Sequence, residues 1–161
     1  MTKESKVQVG DVAPDFSLPD QTGTAVRLRD LLGTKSVVLY FYPKDRTPGC
    51  TVEARAFRDN YEAFAAAGAE VIGVSSDSVA SHRRFARRQD LPFLLLSDRA
   101  GTVRQLYGVE QTLGILPGRV TYVINPAGFV RHIYSSQLRV LRHPREALEA
   151  VRGIERPATT A

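Results

Sequence analysis

Tyr40-Phe41-Tyr42-Pro43-Lys44-Asp45-Arg46-Thr47-Pro48-Gly49-Cys50 is the stretch that decides how this chain is read. It begins in an apolar run, Ser36 to Tyr42, that carries Val37, Val38, Leu39 and Phe41. Apolar side chains at both parities predict a strand buried on both faces, at the centre of a covered sheet. Pro43 breaks that strand, because proline has no N–H to give to a ladder. A short polar loop then delivers Cys50 to a helical pattern that runs to Ala67, with Phe57, Tyr61, Phe64 and Ala65 on one stripe. Gly68 stops the helix, and Glu70 to Ser75, with Val71, Ile72 and Val74, predicts the next strand. Strand, helix and strand at this spacing make a βαβ unit, so the two strands should be parallel.

Upstream, Pro14 and Pro19 limit the opening segment to short extended pieces. Asp20 to Gly23 predicts a turn, Ala25 to Leu28 a short strand, and Leu31-Leu32-Gly33 one turn of helix. Downstream, Asp77 or Ser78 can cap a second helix that reaches Gln89 and buries Val79, Phe85 and Ala86. Phe93 to Leu96 predicts a strand, Asp98 to Gly101 a turn, and Val103, Leu106 and Tyr107 mark a short helix. Val109 to Gly118 reads as a loop. Arg119 to Ile124 and Phe129 to Tyr134 read as a hairpin closed by Asn125-Pro126-Ala127-Gly128. Pro144, at a first helical position, opens a last helix with Ala147, Leu148 and Val151. The pattern predicts an α/β fold, a central mixed β-sheet flanked by helices on both faces. It predicts a single domain over 7–154 and a frayed tail over 155–161.

With 161 residues, 43% of them hydrophobic, the chain is long enough for one domain with a substantial core. It has no apolar run of membrane length, and Met1 to Gln8 is polar and charged, so no membrane partner and a cytoplasmic location are expected. The net charge of +5 and the cluster Arg83, Arg84, Arg87 and Arg88 admit two readings, a solvated helix face or a nucleic-acid surface. No nucleic-acid motif accompanies the charge, so the solvated face is preferred and no nucleic acid is expected as a partner. His82, His132 and His143 share no ligand spacing, which argues against a metal site, and no cofactor is expected. Lys44 and Asp45 read as loop surface, and Phe41 and Tyr42 as core.

Cys50 is the sole cysteine, so no intrachain disulfide can form. At the start of a helix, unpaired N–H groups and the macrodipole favour an anion, and hence the thiolate, which is the nucleophilic form. Pro43 can wall the sulfur off from water. The Thr47 hydroxyl can accept a hydrogen bond from a substrate and donate one to the thiolate. Backbone N–H groups near Gly49 and Cys50 can hold a polar oxygen. Glu53, one turn later, either pairs with an arginine of the site or is an ordinary first-turn acid.

The eleven-residue loop, continued by Thr51 and Glu53, resembles the active-site segment of the peroxiredoxins, closest to their Q-type, or bacterioferritin comigratory protein, branch. Gly10 to Phe16 resembles that family's entry strand, and Arg119 to Ile124 the segment that carries its active-site arginine. The resemblance implies a thioredoxin-like fold that reduces peroxides without metal or haem. It implies that Cys50 is the peroxidatic nucleophile, that Thr47 positions the peroxide and that Pro43 shields the sulfur. It gives Arg119 the task of stabilising the thiolate and polarising the O–O bond, so that Thr47, Gly49, Cys50 and Arg119 together bind the substrate. Many members of the branch place a resolving cysteine five positions after the first, where this chain has Arg55. The sulfenic acid formed from hydrogen peroxide or an organic hydroperoxide must then meet an external thiol: thioredoxin, a glutaredoxin-like protein or a low-molecular-weight thiol. Arg55 either adds charge for an anionic thiol or is a surface arginine. A monomer or weak homodimer is implied. The competing reading from a different class is a redox sensor or binding protein, whose oxidised Cys50 forms a mixed disulfide with a partner.

Overall fold

A computed structural model describes residues 6–109, 111–112 and 116–155. In chain order its elements are β1 (Ser17–Pro19), β2 (Ala25–Arg27), α1 (Leu28–Leu31), β3 (Ser36–Phe41), α2 (Pro48–Asp59), α3 (Tyr61–Ala66), β4 (Ala69–Ser75), α4 (Val79–Gln89), β5 (Leu94–Ser97), α5 (Thr102–Tyr107), β6 (Gln111–Thr112), β7 (Leu116–Pro117), β8 (Val120–Ile124), β9 (Val130–Ser135) and α6 (Arg142–Glu155). The main sheet has the order β5-β4-β3-β8-β9. β3, β4 and β5 run parallel, and β8 and β9 run antiparallel to their neighbours.

Every residue of β3 is buried, as expected of a central strand covered on both sides. Its alternation divides the core in two. Val37, Leu39 and Phe41 face Phe16, Leu28, Val103 and Tyr107, contributed by the opening segment, α1 and α5. Val38 and Tyr40 face the opposite way, toward Ala54, Phe57, Phe64, Phe85 and Val151 from α2, α3, α4 and α6. The sheet is therefore mixed and carries helices on both faces. The register Phe41↔Val120 places Arg119 level with the chain as it leaves β3 toward Pro43. That alignment builds the site.

Local departures from the sequence expectations have identifiable causes. The single helix expected up to Ala67 is two, α2 and α3, parted at Asn60. The Asn60 side chain donates to the Ala56 carbonyl at 2.7 Å and competes with the backbone ladder. As a result Ala65 is exposed and Ala67 is buried. Ser78, not Asp77, caps α4 by accepting from the Ser81 N–H at 3.1 Å. α6 starts two residues before Pro144. The region read as a loop from Val109 to Gly118 contains the antiparallel pair β6 and β7; residues 110 and 113–115 of it lie outside the described residues, as does the expected tail beyond Glu155. Asp45, read as surface, is buried, whereas Lys44 is exposed. Arg83, Arg84, Arg87 and Arg88 are all exposed on α4.

Candidate active site

Thr47 is the residue before α2, in extended geometry, and Pro48 fills the first helical position. The helical ladder begins with the Thr51 N–H on the Thr47 carbonyl at 2.9 Å, which leaves the N–H groups of Gly49 and Cys50 outside it. Cys50, Glu53, Ala54 and Phe57 then fall on one stripe, and that stripe is buried. The Cys50 residue is 1% exposed.

Arg119 meets this stripe from the start of β8. Its Nη2 donates to Cys50 Sγ at 3.4 Å and its Nη1 to Glu53 Oε1 at 2.6 Å. One planar guanidinium thus holds the sulfur and the carboxyl in a fixed relation that a lysine could not reproduce. Gly49 gives it room: a Cβ there would lie 3.2 Å from Arg119 Nη2. Burial pushes the Glu53 carboxyl up to about 8, against the pull of Arg119. Its second oxygen, Oε2, is buried and has no hydrogen-bond partner. The nearest ring, His143 from α6, has Nδ1 at 3.7 Å from Oε2. His143 Nε2 donates to the Ser136 carbonyl at 2.8 Å, so Nδ1 is left to meet the Thr121 hydroxyl at 2.7 Å. Burial pushes His143 down to about 4, so at neutral pH it is uncharged and forms no ion pair with Glu53.

Thr47 and Pro43 sit at the two ends of the loop, both half-buried. The Thr47 hydroxyl donates to the Lys44 carbonyl at 2.8 Å. Its one proton is therefore committed to the backbone and not to the sulfur, contrary to the sequence expectation. Its lone pairs remain as acceptors.

Several residues around the site were given no role from sequence. Asp45 pins the loop to the body of the protein. It accepts from the Tyr42 hydroxyl at 2.6 Å, from the Ser81 hydroxyl at 2.8 Å and from His82 Nδ1 at 2.8 Å. His82 Nε2 faces the Leu96 carbonyl at 3.0 Å, so both ring nitrogens face acceptors. Asp77 accepts from the Asp45 N–H and from Ser75, at 2.8 Å and 2.6 Å. Asp45, Asp77 and His82 lie close together, but these internal donors occupy them, and the group reads as a loop anchor. Arg104, buried on α5, donates to the Tyr42 and Gly118 carbonyls at 3.1 Å each and so fixes the chain on either side of the site. Arg55 is exposed and bonds Gln89 at 2.7 Å. No pattern in the sequence marks most of these contacts, because their partners lie far apart along the chain.

Residues 9–133 match the AhpC/TSA family. The chain belongs to that family of peroxiredoxins. It is 51% identical over 150 residues to "Peroxiredoxin Q, chloroplastic" of Triticum aestivum, covering 92% of this chain and 69% of that one. The crystal structure of the peroxidoxin BcpB from Mycobacterium tuberculosis is similar with a TM-score of 0.86 at 42% identity, over 92% of this chain and 98% of that one. The bacterioferritin comigratory protein of Xanthomonas campestris is similar with a TM-score of 0.81 at 32% identity, over 94% of this chain and 99% of that one. This peroxiredoxin is therefore of the Q branch, with a thioredoxin-like fold, and it is a thiol-dependent peroxidase. No helix among the described residues is long and apolar enough to cross a membrane. The wheat relative is named as chloroplastic, so it does not support the cytoplasmic expectation.

Proposed function

We propose that this peroxiredoxin reduces hydrogen peroxide and organic hydroperoxides at Cys50 by a one-cysteine cycle, carried by residues 7–154. The observation that carries the reading is the Arg119 guanidinium, bonded at once to Cys50 Sγ and to Glu53. In this reading the Cys50 thiolate attacks one peroxide oxygen along the O–O axis. An S–O bond forms, the O–O bond breaks, and the electron pair leaves on the far oxygen. Negative charge thus moves away from sulfur, and fixed donors stabilise it where it develops: Arg119 and the free N–H groups of Gly49 and Cys50. Thr47, its proton already spent on Lys44, accepts the O–H of the incoming peroxide. Pro43 shields the sulfur. The Xanthomonas campestris bacterioferritin comigratory protein is described for its alkyl peroxide reduction activity, which supports including organic hydroperoxides.

The product is a Cys50 sulfenic acid. With no second cysteine in the chain, an external thiol RSH displaces water from it to give Cys50–S–SR, and a second RSH releases the Cys50 thiol and RSSR. Thioredoxin, a glutaredoxin-like protein or a small thiol can fill that role. The test is intact mass of the reduced protein after one equivalent of hydrogen peroxide, with and without a dimedone-type trap. A gain of one oxygen trapped at Cys50, absent in Cys50→Ser and cleared catalytically by one of these thiols, is the expected result. An unchanged mass removes the peroxidatic role of Cys50. A sulfenic acid that forms but is never turned over by any thiol favours the sensor reading.

A further inference from the structure

We propose that Glu53 is a neutral carboxylic acid in the resting enzyme and gives up its proton when the Cys50 thiolate is converted to sulfenic acid. The inference rests on the peroxidatic reading of Cys50. Geometry carries it. Two buried acids, Cys50 and Glu53, are bonded to one cation, Arg119. None of the other charged or titratable groups around them supplies a spare counter-charge. Arg104, on α5, also feels the charge of Cys50, but it donates to the Tyr42 and Gly118 carbonyls and its charge is offset first by buried Asp98. Asp45 and His82, from the loop and α4, pair with each other. Tyr40, on β3, has a buried hydroxyl that burial holds far from ionisation. His143, on α6, is uncharged. If Cys50 and Glu53 both ionised, the pocket would hold one uncompensated buried charge, which is costly.

The two carboxyl oxygens of Glu53 are also unequal. Oε1 accepts from Arg119, as the carbonyl oxygen of a protonated acid does equally well. Oε2 receives no hydrogen bond, and the His143 Nδ1 lone pair, 3.7 Å away, is already taken by the Thr121 hydroxyl. A buried anionic oxygen with no donor is costly, whereas a neutral acid places far less charge there. The raised value of Glu53 agrees with this placement. With Glu53 neutral, the full charge of Arg119 serves the thiolate. When sulfur becomes neutral, Arg119 is free to hold a carboxylate, and Glu53 ionises. The balance is Cys50–S⁻ plus Glu53–COOH plus ROOH, giving Cys50–SOH plus Glu53–COO⁻ plus ROH. The proton lost by Glu53 matches the one gained by the leaving alkoxide, and the net charge of the pocket does not change. Glu53 acts through Arg119, as a positioning and charge-compensating residue.

Infrared difference spectroscopy of the full chain tests this. Reduced protein is expected to have a protonated-carboxyl band that is missing in Glu53→Gln, and the band should shrink on addition of one equivalent of peroxide. No such band in reduced protein, or a band untouched by oxidation, overturns the proposal. Ultraviolet titration of the Cys50 thiolate is the second measurement. Glutamine mimics the neutral acid, so Glu53→Gln should leave the thiolate midpoint nearly in place. A fall of more than about one pH unit would mean that a permanent carboxylate had been removed, and would also overturn it. The band and the midpoint of the reduced protein are read without peroxide. Failure of the peroxidase reading, seen as no mass gain, is therefore distinguishable from failure of the proton assignment.

Discussion

Gly49 illustrates how closely the site is fitted at the scale of single residues. A methyl group there would sit 3.2 Å from Arg119 Nη2, and nothing else lies nearer than Val140 at 3.9 Å. The guanidinium, not the backbone, must give way. Gly49→Ala should therefore lower the rate of sulfenic acid formation, by about tenfold if roughly 1.4 kcal/mol of donor alignment is lost. Its unfolding midpoint should stay close to that of the parent, and stopped-flow peroxide kinetics beside a urea titration checks both. Protonation is the second lever at this scale. Glu53 binds its proton more tightly folded, at about 8, than its ordinary value of 4.5. The stability this contributes is complete below about 4.5 and is lost as pH rises through about 8. His143 has the opposite sense, since its folded value of about 4 lies below 6.5, so its contribution is complete above 6.5 and fades as pH falls toward 4. Urea midpoints across pH should decline on both sides. The alkaline decline should flatten in Glu53→Gln and the acid decline in His143→Asn.

Between β3 and α2 the loop is held from below by one side chain, and this is the element on which the site depends. Asp45 gathers Tyr42, Ser81 and His82, and its own N–H reaches Asp77, so α4 and the segments that leave β3 and β4 all grip the loop through it. Removing the carboxylate strands buried His82 without its partner. Asp45→Ala should cost about 3–5 kcal/mol in chemical denaturation, the range for breaking one side of a buried pair. One residue on, Arg46 sits at a φ of 64°, a left-handed conformation that costs a side chain about 1–2 kcal/mol and that the anchored loop imposes. Much of this element was legible in the sequence. The strand, the proline break and the delivery of Cys50 to a helix start follow from apolar pattern and turn chemistry, which are local. The break at Asn60 was hidden, because a helical stripe continues through it and only the side chain's reach to Ala56 reveals the interruption. Asp45, Arg104 and His143 were hidden for a different reason. Each is a polar residue in a polar stretch, and its burial is decided by partners tens of residues away.

Over the whole molecule, the two half-cores meet at β3 and β4, where tolerance for change should be least. Gly73 lies in β4 opposite Tyr40. A Cβ there would come within 2.9 Å of both the Tyr40 ring and Leu95. Tyr40 is itself stacked on Phe57 at 4.3 Å, so it has little room to retreat. Gly73→Ala should destabilise by about 1–3 kcal/mol, the usual range for overpacking, as measured by thermal or urea unfolding. The site lies where β3 ends and its loop begins, outside the carboxyl end of a parallel strand, where open α/β sheets commonly bind ligands. The burial of Cys50 has a further meaning at this scale. A cysteine residue 1% exposed admits a two-oxygen oxidant far more readily than a bulky electrophile. A large alkylating reagent must wait for the loop to swing out and reclose, so its rate reports the fraction of time the door stands open, in the way slow amide exchange reports local opening. The sole cysteine thus serves as its own gauge. Comparing maleimide labelling with small-peroxide consumption in the same sample separates the gating of the loop from the intrinsic reactivity of the sulfur.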